Sequence, residues 1–254
     1  MNDSVLVTIE ERGVLSILLN RPKVRNALLP GMLEAMGNAL QDHVSDPSVR
    51  VVLIGGIGAS FCAGGDAKAS PDEFSRAWTA MTNLLIGIVN YPKPVVARVQ
   101  GHAIGLGCSI AMAADFVIAD ADARFQWPFV KMGLVPEGTQ LALRCMPPAM
   151  LRSFAFLGSA VNGAELAGAA VIHSAVPMER LAGAVDELVD KLIVLPDFGL
   201  RAIKESLNSA SRLNFGDSLH WEGERQRDIR SSPDFAAARS AFFEQAGVRS
   251  EVSK

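Results

Sequence analysis

The stretch GHAIGLGCSIAMAADFVIA, residues 101–119, decides the fold class. Gly105, Gly107, Ser109, Ala111, Ala113 and Ala114 are small enough for a helix to lie very close to its neighbours, and FVIA at 116–119 then reads as a strand. Upstream, VVARV at 95–99 is another short apolar run of strand type. Strand, glycine turn, packed helix and strand in succession predict a βαβ-rich α/β core.

Further towards the N-terminus, alternation at 6–9 and 14–19 around Gly13 predicts an antiparallel hairpin. Pro30 opens a helix with Leu33, Met36 and Leu40 on one face, which Asp46-Pro47 stops. Residues 51–54, bounded by Gly55-Gly56, read as a buried inner strand, and 72–90 as a helix broken by YPKP at 91–94. A second turn-and-strand unit follows residue 119. Past Pro136 the pattern changes to consecutive helices at 138–146, 148–157, 164–169 and 178–195, with strands scarce. Three more helical stretches occupy the last sixty residues, with a break at Ser231-Ser232-Pro233. The expected division is a core over 1–195 and a helical region over 196–254.

The 254 residues carry 24 Lys+Arg against 27 Asp+Glu and a net charge of −3, which leaves no basic surplus for a nucleic acid. No run reaches the ~18 apolar residues of a membrane span. The start, MNDSVLVTIEE, has neither a basic nor an apolar leader region, and a cytoplasmic location is expected. Cys62, Cys108 and Cys145 lack CxxC spacing, and His43, His102, His173 and His220 are scattered, so neither disulfide nor metal is expected.

Two glycine-rich segments call for chemistry. GIGASFCAGGDAK at 56–68 lacks the GxxxxGK[ST] phosphate loop, and GLGCSI at 105–110 lacks the third glycine of GxGxxG. Each does place glycines after a strand and before a helix, where backbone N–H groups can face outward. Two such loops can converge on one oxygen.

Taken together, NRPKVRNAL at 20–28, FCAGGDAK at 61–68, the 101–119 stretch and FQWPFVKMGLVPEG at 125–138 resemble the crotonase superfamily, the enoyl-CoA hydratase/isomerase family, in order and spacing. The resemblance implies a spiral of repeated ββα units, a C-terminal helical region that assembles a trimer or dimer of trimers, and an acyl-CoA thioester as substrate, with no separate cofactor. It places an oxyanion-hole N–H on Gly65 and another on Leu106, both backbone roles. Two such donors would hold the enolate formed beside the thioester carbonyl.

The two glutamates with which hydratases of this family activate water fall on Ser109 and Phe129 here, so a two-carboxylate hydration cannot be drawn. Glu137 stands where isomerase relatives place a single base. The resemblance therefore implies 3-enoyl to 2-enoyl isomerisation, with Glu137 moving one proton from C2 to C4. Trp127, Phe129 and Leu134 would exclude water and raise the Glu137 pKa. Read without the family, Glu137 is an acid favouring the start of a helix. Alternative readings are a diverged hydratase or other acyl-CoA lyase in which Glu137 organises water, and a non-catalytic acyl-CoA-binding relative.

For the CoA moiety, Arg25, Lys23 and Lys68 are candidates for its phosphates. Val24 and the backbone of 63–67 (Ala63, Asp66 and Ala67 among them) are candidates for adenine and pantetheine. Asp66 is equally a turn cap. Trp127 is a candidate acyl-pocket wall, with core packing as its ordinary role; Ser109 is a substrate or water partner, or simply a small helix residue. His102 reads as structural or a pocket wall, and Cys62 and Cys108 as packing residues. Phe242-Phe243 could offer a ring to a neighbour's CoA, although Gln245 and Ala246 follow where relatives place a cation.

Overall fold

A computed structural model describes residues 4–65 and 71–245. The chain divides into two units, Met1–Ile193 and Val194–Lys254. The first opens with the hairpin β1 (Val5–Ile9) and β2 (Val14–Leu19), then α1 (Pro30–Asp42), β3 (Val51–Gly56) and α2 (Pro71–Asn90). Next come β4 (Val95–Val99), β5 (His102–Ile104), α3 (Leu106–Ala113), β6 (Phe116–Asp120), β7 (Arg124–Gln126), α4 (Thr139–Cys145) and α5 (Pro148–Phe156). The unit ends with β8 (Ala160–Asn162), α6 (Gly163–Gly168), β9 (Ser174–Val176) and α7 (Met178–Ile193).

The strands form two sheets. The larger has the order β1-β2-β3-β4-β6-β9, the smaller β5-β7-β8. In the larger, β1 and β2 pair antiparallel and every later pair is parallel. The chain alternates between them: β4 enters the large sheet and β5 the small one before α3, then β6 and β7 repeat the step before α4 and α5. That is a spiral of ββα turns.

Burial explains the sequence pattern of the inner strands. All six residues of β3 are buried, because helices cover both faces of a parallel sheet and no side chain of the run can reach water. Edge strand β1 keeps the alternation of a half-exposed strand only loosely, with Val7 and Ile9 exposed. In α1, Met32, Leu33, Met36, Ala39 and Leu40 form one buried stripe. That helix ends at Asp42, ahead of the Asp46-Pro47 stop, and Tyr91 and Lys93 secure the turn beyond it through the carbonyls of His43 and Asp46.

The helical expectation past residue 136 needs correction in detail. Two three-residue strands, β8 and β9, lie there, each completing one of the two sheets. They are too short to show a period of their own, and pairing with β7 and β6 specifies them.

The second unit contains α8 (Asp197–Ala210), α9 (Phe215–Arg230) and α10 (Pro233–Gln245). Asn214 caps α9 by accepting from the Asp217 N–H at 3.0 Å, and Arg225 pairs with Glu205 across α8 and α9. Phe242 and Phe243 stack edge to face at 5.6 Å, with the Arg239 guanidinium over Phe243. No helix among the described residues is long and apolar enough to cross a membrane.

Candidate active site

Three segments meet around the glycine-rich loops, and the chain laces them with backbone and buried side-chain hydrogen bonds. The first is the 20–28 stretch. A 3-10 turn, Pro22–Val24, leads into Arg25 and Asn26, both in left-handed backbone at φ 52 and 57. Val24 and Arg25 are exposed, whereas Asn26 is fully buried. The Asn26 amide nitrogen donates to the carbonyls of Ser60 (2.8 Å), Ile57 (3.1 Å) and Phe61 (3.1 Å), and its oxygen accepts from the Arg21 N–H at 2.8 Å. Asparagine suits the position twice: it tolerates the left-handed conformation, and its amide satisfies carbonyls, those of Ser60 and Phe61 in buried bonds.

The second segment is the loop after β3. The Ala63 N–H donates to the Arg25 carbonyl at 2.9 Å, and the Leu28 N–H to the Gly64 carbonyl at 2.8 Å. Buried Cys62 donates its thiol to the Asn26 carbonyl and accepts from the Gly64 N–H, both at 3.3 Å. Burial pushes the Cys62 thiol up to about 12, so it stays protonated. Gly64 has φ +94, and an added Cβ would lie 2.8 Å from the Ile104 carbonyl oxygen, so only glycine allows this approach. Gly65 is exposed and pairs with Leu28 in a parallel bridge. Asp66, Ala67 and Lys68 lie outside the described residues.

The third segment runs from β5 into α3. Its strand pairs with the second loop: the Cys62 N–H donates to the His102 carbonyl at 2.7 Å and the Ile104 N–H to the Cys62 carbonyl at 3.0 Å. Gly105, at φ 53, turns the chain, and Leu106 begins the helix. An α-helix leaves its first N–H groups without intrahelical acceptors; the Leu106 N–H is the first of these, at the end where the helix dipole favours negative charge. A Cβ on Gly107 would lie 2.7–2.8 Å from Cys62 atoms, which explains glycine in the first turn. The loops carrying Gly65 and Leu106 therefore pack backbone to backbone.

The helix also holds the acid. Ser109, fully buried in α3, donates its hydroxyl to the Glu137 carbonyl at 2.7 Å and accepts from the Trp127 indole N–H at 3.1 Å. Glu137 itself is half-buried; its Oε2 is screened from solvent and has no hydrogen-bond partner among the described residues. Burial raises the pKa of its carboxyl, opposed by a hydrogen bond from its own backbone N–H.

Trp127, Phe129 and Leu134 fall in different surroundings. Trp127 is fully buried and packs on Phe154 at 5.2 Å, so its indole lies in the core beneath Ser109. Phe129 is buried with its ring edge against Gly105, while Leu134 is half exposed. His102 keeps its Nδ1 3.1 Å from the Ser60 hydroxyl; burial first, then Arg25 and Arg124, lower its pKa, which favours the neutral ring. Burial raises the Cys108 thiol pKa as well.

Three residues that matter here, Asn26, Ser109 and Trp127, were not singled out for these roles by sequence. Asn26 lies inside the quoted NRPKVRNAL stretch, where Arg-Asn ahead of an apolar pair was the available signal of a left-handed turn. The joint role of Ser109 and Trp127 left no local signal, since the partners stand 18 and 28 residues apart.

Comparison with known proteins shows what the whole chain is similar to. The family described as Enoyl-CoA hydratase/isomerase matches residues 9–249. The chain is 32% identical over 243 residues to the 1,2-epoxyphenylacetyl-CoA isomerase of Escherichia coli strain K12, covering 92% of this chain and 93% of that protein. It is 33% identical over 223 residues to a carnitinyl-CoA dehydratase of Salmonella enteritidis PT4, covering 84% and 83%. Among solved structures, an enoyl-CoA hydratase from Polaromonas sp. JS666 superposes with a TM-score of 0.89 at 28% identity, over 95% of this chain and 97% of that one.

Proposed function

Because the chain belongs to the enoyl-CoA hydratase/isomerase (crotonase) family of acyl-CoA enzymes and has its α/β fold with C-terminal helices, we propose that it is an enoyl-CoA isomerase moving a double bond from C3 to C2. In this reading the N–H groups of Gly65 and Leu106 bind the thioester oxygen. Glu137 removes a proton from C2, the C3=C4 electron pair delocalises into a dienolate, and the same carboxyl returns a proton at C4 as the new double bond forms between C2 and C3. No water is consumed and no cofactor is needed. CoA is part of the substrate, met by Val24, Arg25, Ala63 and the 66–68 residues.

The observation that carries the reading is the Glu137 carboxyl: a raised pKa, an oxygen screened from water, and a backbone carbonyl held by the helix that starts at Leu106. A base whose pKa is lifted towards neutrality takes and returns a proton more evenly than an ordinary solvated glutamate. Ser109 supports the same choice by a different route. Where hydratases are expected to carry their first glutamate, this chain has a hydroxyl already engaged by Trp127 and Glu137. Relatives named as an isomerase and as a dehydratase are about equally similar in identity, so the side chains rather than the similarity favour isomerisation.

The test is turnover of a 3-enoyl-CoA by the wild type and by Glu137→Gln, with the products identified. A 2-enoyl-CoA product and a loss of about 10²–10⁴-fold in the variant are expected. A 3-hydroxyacyl-CoA product supports the hydratase alternative instead, and tight acyl-CoA binding without turnover supports a non-catalytic relative.

In the assembled protein we place the C-terminal region, 196–254, at the contacts of a trimer or dimer of trimers, as the family resemblance implies. Exposed apolar side chains on its helices, Leu207, Phe215, Leu219 and Phe242 among them, support a covered surface there.

A further inference from the structure

We propose that Ser109 is a positioning residue for Glu137, forming with Trp127 a buried strut that holds the acid-bearing loop against helix α3; this rests on the isomerase reading above for its catalytic consequence, though not for its geometry. A serine hydroxyl has one hydrogen. It faces two carbonyls, Glu137 at 2.7 Å and Gly105 at 3.4 Å, and the shorter contact takes it. The lone pairs then receive the Trp127 indole N–H at 3.1 Å, which fixes the direction of the hydroxyl. Trp127 is itself fully buried and packed on Phe154.

The loop it holds is exposed over residues 131–135, just ahead of the acid. Leu134 and Val135 are 50% and 77% exposed, and the segment is bracketed by Gly133 and Gly138 in left-handed backbone at φ 70 and 81. Among the described residues its other hydrogen bonds include local ones, such as the Thr139 hydroxyl to the Pro136 carbonyl at 3.5 Å and the Leu134 N–H to the Phe129 carbonyl at 3.0 Å. The strut therefore joins the base to the same helix whose first N–H is assigned to the substrate oxygen. Displacing one relative to the other costs rate steeply, because proton transfer depends on reach.

Two readouts separate the strut from the reaction. In protein labelled with ¹³C at the glutamate carboxyls, the Glu137 signal is the one missing from Glu137→Gln. Its titration midpoint in Ser109→Ala should fall from its raised position towards the ordinary glutamate range, as the loop opens to water, and Trp127→Phe should move it the same way by less. With a 3-enoyl-CoA, Ser109→Ala should lose about 10- to 100-fold in kcat with KM nearly unchanged. An unmoved Glu137 midpoint in folded Ser109→Ala, with native near-ultraviolet circular dichroism, overturns the strut whatever the turnover. Should Ser109→Ala not fold, the same reading in Trp127→Phe decides it. If wild type shows no isomerisation but the midpoints shift, the strut stands and the isomerase reading fails.

Discussion

Replacing Asn26 with alanine removes one accepted hydrogen bond and an NH₂ group shared among three carbonyls. Two hydrogens can make two strong bonds, so three bonds are lost in effect, at ~1 kcal/mol each. Alanine at φ 57 adds ~1 kcal/mol of backbone strain. The sum is about 4 kcal/mol, which for a unit of this size lowers Tm by roughly 8–16 °C. Thermal unfolding by circular dichroism measures it. Asn26→Asp is a sharper probe, because its carboxylate faces the same three carbonyls and loses both hydrogens. It should be at least as unstable as Asn26→Ala near neutral pH, with the gap narrowing or reversing in acid as the carboxyl gains a proton to donate. A Tm loss of less than about 3 °C in Asn26→Ala would show that the 20–28 stretch is held by its backbone alone and refute the argument.

Leu106→Pro deletes a single backbone N–H at the first helical position, the one place where proline suits a helix. If that N–H binds the thioester oxygen, kcat on a 3-enoyl-CoA falls by about 10²–10³-fold while the far-ultraviolet spectrum stays native; turnover within threefold of wild type would count against the assignment. The pH profile follows from Glu137. Its active form is the carboxylate, so kcat/KM should rise through an acid limb lying above the ordinary glutamate range, and pH-rate measurement checks this. Stability has the opposite sign. A carboxyl whose folded pKa is raised stabilises the fold below its unfolded pKa, and that contribution is lost as pH rises through the folded value. Glu137→Gln should accordingly be more stable than wild type near neutral pH, with the difference gone in acid, as denaturant titration at both pH values would register.

The long elements were legible because their burial is periodic or complete. Helix α1 has its apolar stripe, β3 is apolar throughout, and the small residues of α3 announce close packing. Strands of three residues were harder: β5, β8 and β9 are specified by their partners in space, with no period of their own. At the site, the glycines were readable as backbone devices, and Gly64 and Gly107 show why, each leaving no room for a Cβ. Side-chain partnerships were less accessible. Trp127 was readable as a core residue or a pocket wall, but not its indole N–H bond to Ser109 in the core, a contact fixed only once β7 and α3 are packed together. Asn26 was visible as a letter, but the convergence of three carbonyls on it depends on a loop thirty residues later.

The most direct measurement is the fate of the C2 hydrogens. A 3-enoyl-CoA carrying deuterium at C2 should yield 2-enoyl-CoA with part of that deuterium at C4, carried by the Glu137 carboxyl, and the transfer should vanish in Glu137→Gln. Formation of a 3-hydroxyacyl-CoA, or undiminished conversion by the variant, would contradict the account.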